Sequence, residues 1–355
     1  MSDISSRKAD HIDLCIDGDV GFQRKSNLFE QVELVHEALP DLSLDEIDLR
    51  CTFAGKELRA PLVIAAMTGG VAKAARINRD LASIAEERGI GFAFGSQRPL
   101  LVKGSMEGYE VRDLAPTALV LGNIGVVQAR DASTGQLEDM LGRCGADALC
   151  VHLNPAMEVV QPEGDRDFRG GLDTFHRLAG ELSVPVIAKE TGCGISRKTA
   201  IRLQEAGVRW MDVSGAGGTS WVAVETHRAT EGTRGAGMTF WDWGIPTAGS
   251  IAQLSGLGIG ACATGGMQNG LMIAKAIALG AVCGGVARPL LQAHAEGGRK
   301  GAAAAVDRLI QEIRIACLLT GSSDLQQLRD CPVHAGPGLR KWIPRASPLA
   351  DKFLT

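Results

Sequence analysis

The chain has 355 residues, 45% of them hydrophobic, and a formal net charge of −4. That length suits one large α/β barrel or two ordinary domains, and the charge leaves no footprint for nucleic acid or an anionic membrane. No apolar run approaches the ~18 residues of a membrane helix, the opening MSDISSRKADHIDL lacks a signal-peptide core, and nine cysteines without a C-x-x-C pair fit free thiols, so a cytoplasmic protein is expected.

Residues 1–60 precede the first regular strand and form an N-terminal extension, with a small hairpin expected at Cys51–Leu58 around Ala54-Gly55. From there, short apolar runs alternate with helical stretches. Strands are expected at Leu62–Ala66, Ile90–Phe94, Ala118–Leu121, Ala148–Val151, Val184–Ala188, Trp210–Val213, Ile259–Ala263 and Ala281–Val286. Helices are expected between them, for example at Ala74–Arg88, Gly135–Cys144, Thr174–Leu182, Arg197–Ala206 and Gly270–Leu279. Eight strand-then-helix units indicate a (β/α)8 TIM barrel over residues 61–325; a doubly wound sheet is the alternative, but eight units favour closure. Gly217–Gly249 shows no clear period and is longer than an ordinary barrel loop, as functional loops often are. The tail from about residue 326, rich in Pro, Gly and Arg beyond Asp330, is expected to be irregular.

In a barrel of this kind, chemistry collects at the carboxyl ends of the strands. Here those ends are polar or glycine-rich: Met67-Thr68-Gly69-Gly70, Ser96-Gln97-Arg98, Asn123, Lys189-Glu190-Thr191-Gly192, Ser214 to Thr219, Thr264-Gly265-Gly266 and Gly285-Val286-Ala287-Arg288. The last two turns predict a phosphate site, because glycines let backbone N–H groups approach an anion at a helix N-terminus. Lys189 is either a solvated strand terminus or a charge aimed into the site, where it would stabilise a bound or developing anion. Arg7, Lys8 and His11 form a basic cluster ahead of any core element; Arg98 is better placed to clamp phosphate oxygens.

The densest chemistry follows the fourth strand in HLNPAMEVVQPEGD, His152 to Asp165. Period-two alternation puts His152 and Asn154 on one face of the strand end. Glu158 caps a helix or serves as a magnesium ligand that shares its ion with phosphate oxygens and water.

RKADH, AMTGG, GSQR, GNIG, HLNPAMEVVQPEGD, SGAGGTSW and DWGIPT occur in this order between Arg7 and about residue 320. The set resembles the type II isopentenyl diphosphate isomerases, flavin enzymes of isoprenoid synthesis. The resemblance implies isomerisation of isopentenyl diphosphate to dimethylallyl diphosphate on reduced FMN with Mg²⁺, NADPH serving only to reduce the flavin, in a homo-oligomer, a tetramer or octamer. It implies that Arg7, Lys8, Arg98 and His152 contact the diphosphate, with His11, Asn154 and Gln161 in the substrate pocket, and that Glu158 holds the metal. Thr68, Ser96, Asn123, Lys189, Ser214 and Thr219 resemble flavin contacts, and Gly265, Gly266, Gly285 and Ala287 the FMN phosphate turns. Lys189, His152, Asn154 and position 157 are the catalytic candidates.

Position 157 departs from that pattern. Met157 stands where the family usually has a glutamine, and a thioether cannot relay a proton as an amide can. Gln268 and Met272 stand where an arginine and an acid are more usual. Two rival readings remain open at this level: an FMN-dependent 2-hydroxy-acid oxidoreductase, which does not explain Glu158 or the clustered cations, and a flavin- or prenyl-diphosphate-binding barrel that has lost activity with Met157.

Overall fold

The computed structural model describes residues 11–16, 18–67, 69–70, 72–229 and 231–354. Eight strands, β1 (Leu62–Ile64), β2 (Gly91–Ala93), β3 (Leu119–Gly125), β4 (Ala148–Leu153), β5 (Val186–Glu190), β6 (Trp210–Asp212), β7 (Gly260–Ala263) and β8 (Cys283–Val286), pair in parallel in chain order. The sheet closes where Val286 of β8 pairs with Ile64 of β1. Each lies at an expected position to within a few residues, and the fold is the (β/α)8 barrel.

The strands form because their runs are apolar on both faces, as parallel strands covered by helices must be; every residue of β3 is buried. Helices Ala72–Arg88, Thr134–Cys144, Gly171–Glu181, Arg197–Glu205 and Gly270–Ala278 lie between strands, and Arg288–Leu319 follows β8. The helix before β4 has clear local stops. Ser133 Oγ accepts from Gln136 N at 3.2 Å while Gln136 Oε1 accepts from Ser133 N at 2.9 Å, and Gly145 ends it in the left-handed region.

The barrel interior is filled at its amino end by Val63, Leu121, Cys150, Ile187, Cys262 and Cys283. The hairpin Cys51–Phe53/Lys56–Leu58 turns through Ala54 and Gly55, both at positive φ, and drives Phe53 into this layer edge-on to Trp210, ring centres 5.4 Å apart. This end is plugged, so the open end is the carboxyl end of the strands.

Two expectations are corrected. The stretch Gly217–Gly249 is not a long loop: it carries helices Trp221–Arg228 and Glu231–Phe240. Its glycines hide the helical period, and one of them, Gly237, serves packing. A Cβ on Gly237 would sit 2.0 Å from Thr226 Oγ1 of the first helix. The tail is not irregular. Val333–Ala335 pairs antiparallel with Val32–Leu34, and helices Pro337–Arg340 and Pro348–Leu354 follow, with Leu339 and Leu349 buried in the main core. Helices this short, opening on proline, give too little periodicity to register in a sequence.

Candidate active site

One cavity of about 460 Å³ opens among the carboxyl ends of the strands. From β2 and β3 it receives Ser96, Arg98 and Asn123; from β4 and the helix after it, His152, Asn154, Met157, Glu158 and Gln161. Lys189 comes from β5, and Ser214 and Thr219 from the loop after β6. Gly265 and Gly266 come from β7, Gly285 and Ala287 from β8, and His11 from the N-terminal segment. Every candidate residue that the structure describes therefore meets in one place. Arg7, Lys8 and Thr68 lie outside the described residues.

The loops after β6 and β7 are stacked backbone to backbone. Gly265 has φ of 100°, and a Cβ on it would lie 2.1 Å from Gly215 O. Only glycine fits, and the result is a wall of main chain without side chains, the form an anion cradle takes. Two side chains brace it from behind: Thr247 Oγ1 donates to Gly265 O at 2.6 Å, and Asn27 Nδ2 to Gly266 O at 2.6 Å. Asn27 also lies 3.5 Å from the sulfur of Met272. Helices Gly270–Ala278 and Arg288–Leu319 begin just beyond the two turns. This cradle fits an FMN phosphate. Gln268 is exposed and brings no charge to it.

Lys189 and Asp212 pair across β5 and β6, Nζ to Oδ2 at 2.6 Å, both buried. Thr264 Oγ1 and Ser214 N donate to the other carboxylate oxygen. Burial works against the charge on Lys189, but the adjoining carboxylate outweighs it and holds the ammonium above its ordinary pKa. A fixed, buried cation results, suited to a reduced, anionic flavin. Asp212 escaped the sequence reading; its only sign was an acid within the apolar run Trp210–Val213.

His152 is oriented by a relay. Gln97, fully buried, accepts from Asn123 N at 2.8 Å; Asn123 Nδ2 donates to Phe94 O at 2.9 Å, which turns its Oδ1 to His152 Nδ1 at 2.8 Å. The Nδ1 nitrogen must carry the proton for that bond. Beyond it, Pro155–Val160 is helical. Asn154 Nδ2 donates to Glu158 Oε1 at 2.7 Å, and Asp165 N to Glu158 Oε2 at 2.8 Å. Each Glu158 oxygen keeps a further lone pair. One carboxylate beside a diphosphate suits Mg²⁺, which keeps its waters and binds substrate phosphates; among the described residues no cluster of three acidic, His or Cys side chains forms a protein-only metal cage.

His11 does not extend a cationic cluster within the described residues. Its Nε2 meets Glu225 Oε1 at 2.8 Å and its ring lies edge-on to Trp221. Arg288 Nε and Nη2 donate to Cys15 O and Gly18 O, both at 2.8 Å, and tie this segment over the cavity. Glu190, also unassigned from sequence, is buried, with Oε2 accepting from Thr191 N at 2.6 Å, from Cys193 N, and from Gly194 N at 3.1 Å. Among the described residues no helix is long and apolar enough to cross a membrane.

A family model described as FMN-dependent dehydrogenase matches residues 2–151 and 156–334. An isopentenyl-diphosphate delta-isomerase of Methanosarcina barkeri is 43% identical, over 94% of this chain and 92% of its own length. One of Methanothermobacter thermautotrophicus is 41% identical, over 96% of each. Among solved structures, a mandelate oxidase mutant with an FMN adduct (TM-score 0.64, 17% identity, 91% of this chain and 95% of that one) and a flavocytochrome b2 mutant (0.66, 16%, 92% and 82%) share the fold. The chain therefore belongs to the isopentenyl-diphosphate delta-isomerases, within the FMN-dependent dehydrogenase family.

Proposed function

We propose that this barrel isomerises isopentenyl diphosphate to dimethylallyl diphosphate, using reduced FMN and Mg²⁺, with NADPH serving only to reduce the flavin. The observation that carries the reading is the division of one cavity. A side-chain-free cradle at β7 and β8 faces a polar cluster of Arg98, His152, Asn154 and Glu158 across the barrel. The first suits the cofactor phosphate and the second a metal-bound diphosphate, and the relatives carry the isomerase name over nearly the whole chain. Arg7 and Lys8 extend the diphosphate site in this reading.

The double bond of the substrate is unactivated, and its protonation creates a tertiary cation. Reduced FMN, when bound, would supply an electron-rich ring suited to proton exchange and to stabilising positive charge nearby. The protein's share is placement. Ser96, Asn123, Ser214, Thr219 and Ala287 line the flavin side, and the Lys189–Asp212 pair fixes a cation beside it. His152, held by Asn123, adds positive charge for the diphosphate when its ring is protonated. Glu158 anchors the metal, and Gln161, buried at the end of its helix, faces the substrate.

The purified protein should be yellow and release FMN on denaturation, identified by mass. It should turn over isopentenyl diphosphate anaerobically after dithionite reduction, without consuming NADPH in proportion to product. A chromophore identified as FAD, equal rates in air, or oxidation of a 2-hydroxy acid in its place would overturn the proposal.

Glu158→Gln should shift the magnesium titration by about 10- to 100-fold, the range found even for outer contacts to a metal. The amide oxygen can accept from Asn154 or from Asp165 N but not both, so the variant should lose about 1 kcal/mol of stability, a small change beside the magnesium shift. An unchanged magnesium titration would remove Glu158 from the metal site.

A further inference from the structure

Behind Met157 lies a second, much smaller void of about 10 Å³. It shares Phe22, Asn154, Met157, Thr191, Gly192 and Trp221 with the main cavity, so it is a side pocket of the same site. Its volume is that of one water. Glu190 lines this pocket but not the main cavity. Three backbone N–H groups converge on its Oε2, whereas Oε1 has no hydrogen-bond partner among the described residues. The pocket also offers the Asn154 amide and the Thr191 hydroxyl, which donates to Leu153 O at 3.1 Å and keeps lone pairs for a water.

Resting on the isomerase reading, we propose that Glu190 is a proton reservoir for the reaction, working through a single water in the pocket behind Met157. The carboxyl O–H on Oε1 releases its proton to that water while the water passes one of its own to the base in the main cavity that has given its proton to the alkene. The carboxylate left behind is held by the three N–H groups and by Lys189 next to it in the chain. It recovers a proton when the reaction sheds one from the substrate. No electrons move, and isomerisation consumes no proton overall. Glu190 touches neither substrate nor cofactor; it supplies the site through the water.

Burial pushes the Glu190 carboxyl up to about 8, against the three N–H groups and Lys189, so it is mostly protonated at neutral pH. The other charged or titratable groups nearby are committed elsewhere. Asp212 is paired with Lys189, Glu225 with His11 and Arg228, and Glu158 with Asn154. Cys193 is a thiol that burial keeps protonated, and Lys25 donates to Gly244 O.

The test is Glu190→Gln, whose amide oxygen still accepts the loop's N–H bonds but which carries no titrating proton. Infrared difference spectra of the holoenzyme, taken from below to above pH 8, should show a protonated carboxyl band that disappears in the parent and is missing from the variant. In turnover with reduced FMN and magnesium, kcat of the parent should fall as pH rises through about 8. The variant should lose that limb and run about 10²-fold slower, with KM unchanged. If the parent is active but shows no such band, or if the variant keeps the parent's rate and alkaline limb, the reservoir is overturned while the isomerase reading stands. A parent that does not turn over isopentenyl diphosphate overturns both.

Discussion

Lys189→Met is expected to destabilise the protein by about 3–5 kcal/mol and to abolish most of its activity, and Lys189→Met with Asp212→Asn is expected to restore the first and not the second. The reason lies in the company Asp212 keeps. Its carboxylate is buried, with Lys189 Nζ at 2.6 Å on one oxygen and the Thr264 hydroxyl and Ser214 N–H on the other. Removing the ammonium strands a buried anion, and the fold must bear its desolvation. Neutralising the partner removes that penalty, since an asparagine oxygen can still accept from Thr264 and Ser214. The flavin side of the cavity stays without its cation in both variants, so kcat should remain about 10²–10³-fold below the parent. The ammonium's folded pKa lies above the ordinary 10.5. The pair's contribution is therefore fully present below that pH and is lost only as pH rises through the higher folded value. Denaturant unfolding and kcat of the three proteins decide the matter. A single variant as stable as the parent would show that the pair does not support the fold, and an active double variant would take Lys189 out of the chemistry.

The sequence disclosed the barrel and its polar rim for one physical reason. Parallel strands buried on both faces read as apolar runs, and a polar residue just after such a run stands out. Arg98, His152, Asn154 and Lys189 are visible on those terms. What stayed hidden depends on pairing across the sheet. Asp212 faces Lys189 only because β5 and β6 are in the register that aligns them, and no local pattern carries that. Glu190 stands in the polar end of β5 but gives no local sign of a role, because alternation sends it to the opposite side of the strand from Lys189 and the side pocket that gives it a use is made by other elements. His11 was grouped with Arg7 and Lys8 by proximity in the chain, yet its partner Glu225 is 214 residues away. Helix Glu231–Phe240 was missed because Gly232, Gly235 and Gly237 interrupt its period, the last for close packing against Thr226.

Met157→Gln should raise kcat. Met157 stands between the main cavity and the side pocket and lines both, and its sulfur lies 3.8 Å from Asn154 Nδ2. A thioether there accepts hydrogen bonds weakly and donates none, so Met157 itself adds no link and the pocket water reaches the main cavity only past Asn154 and Thr191, which also line both spaces. Glutamine has nearly the same length, so the swap leaves no large cavity. Its carbonyl can take up the second N–H of Asn154, and its amide N–H groups can reach the pocket water, which meets the requirement that a buried amide find partners. A positioned acid–base group is worth about 10²–10⁴-fold. Part of that is already supplied if Glu190 feeds protons through its water, so a gain nearer tenfold than ten-thousandfold is expected. The gain should disappear when Glu190→Gln is added, because the added link then has no proton to carry. Single-turnover rates with fully reduced FMN and saturating magnesium separate the chemical step from product release. A neutral or harmful Met157→Gln would mean that Met157 packs against the prenyl chain and that the proton never passes this residue.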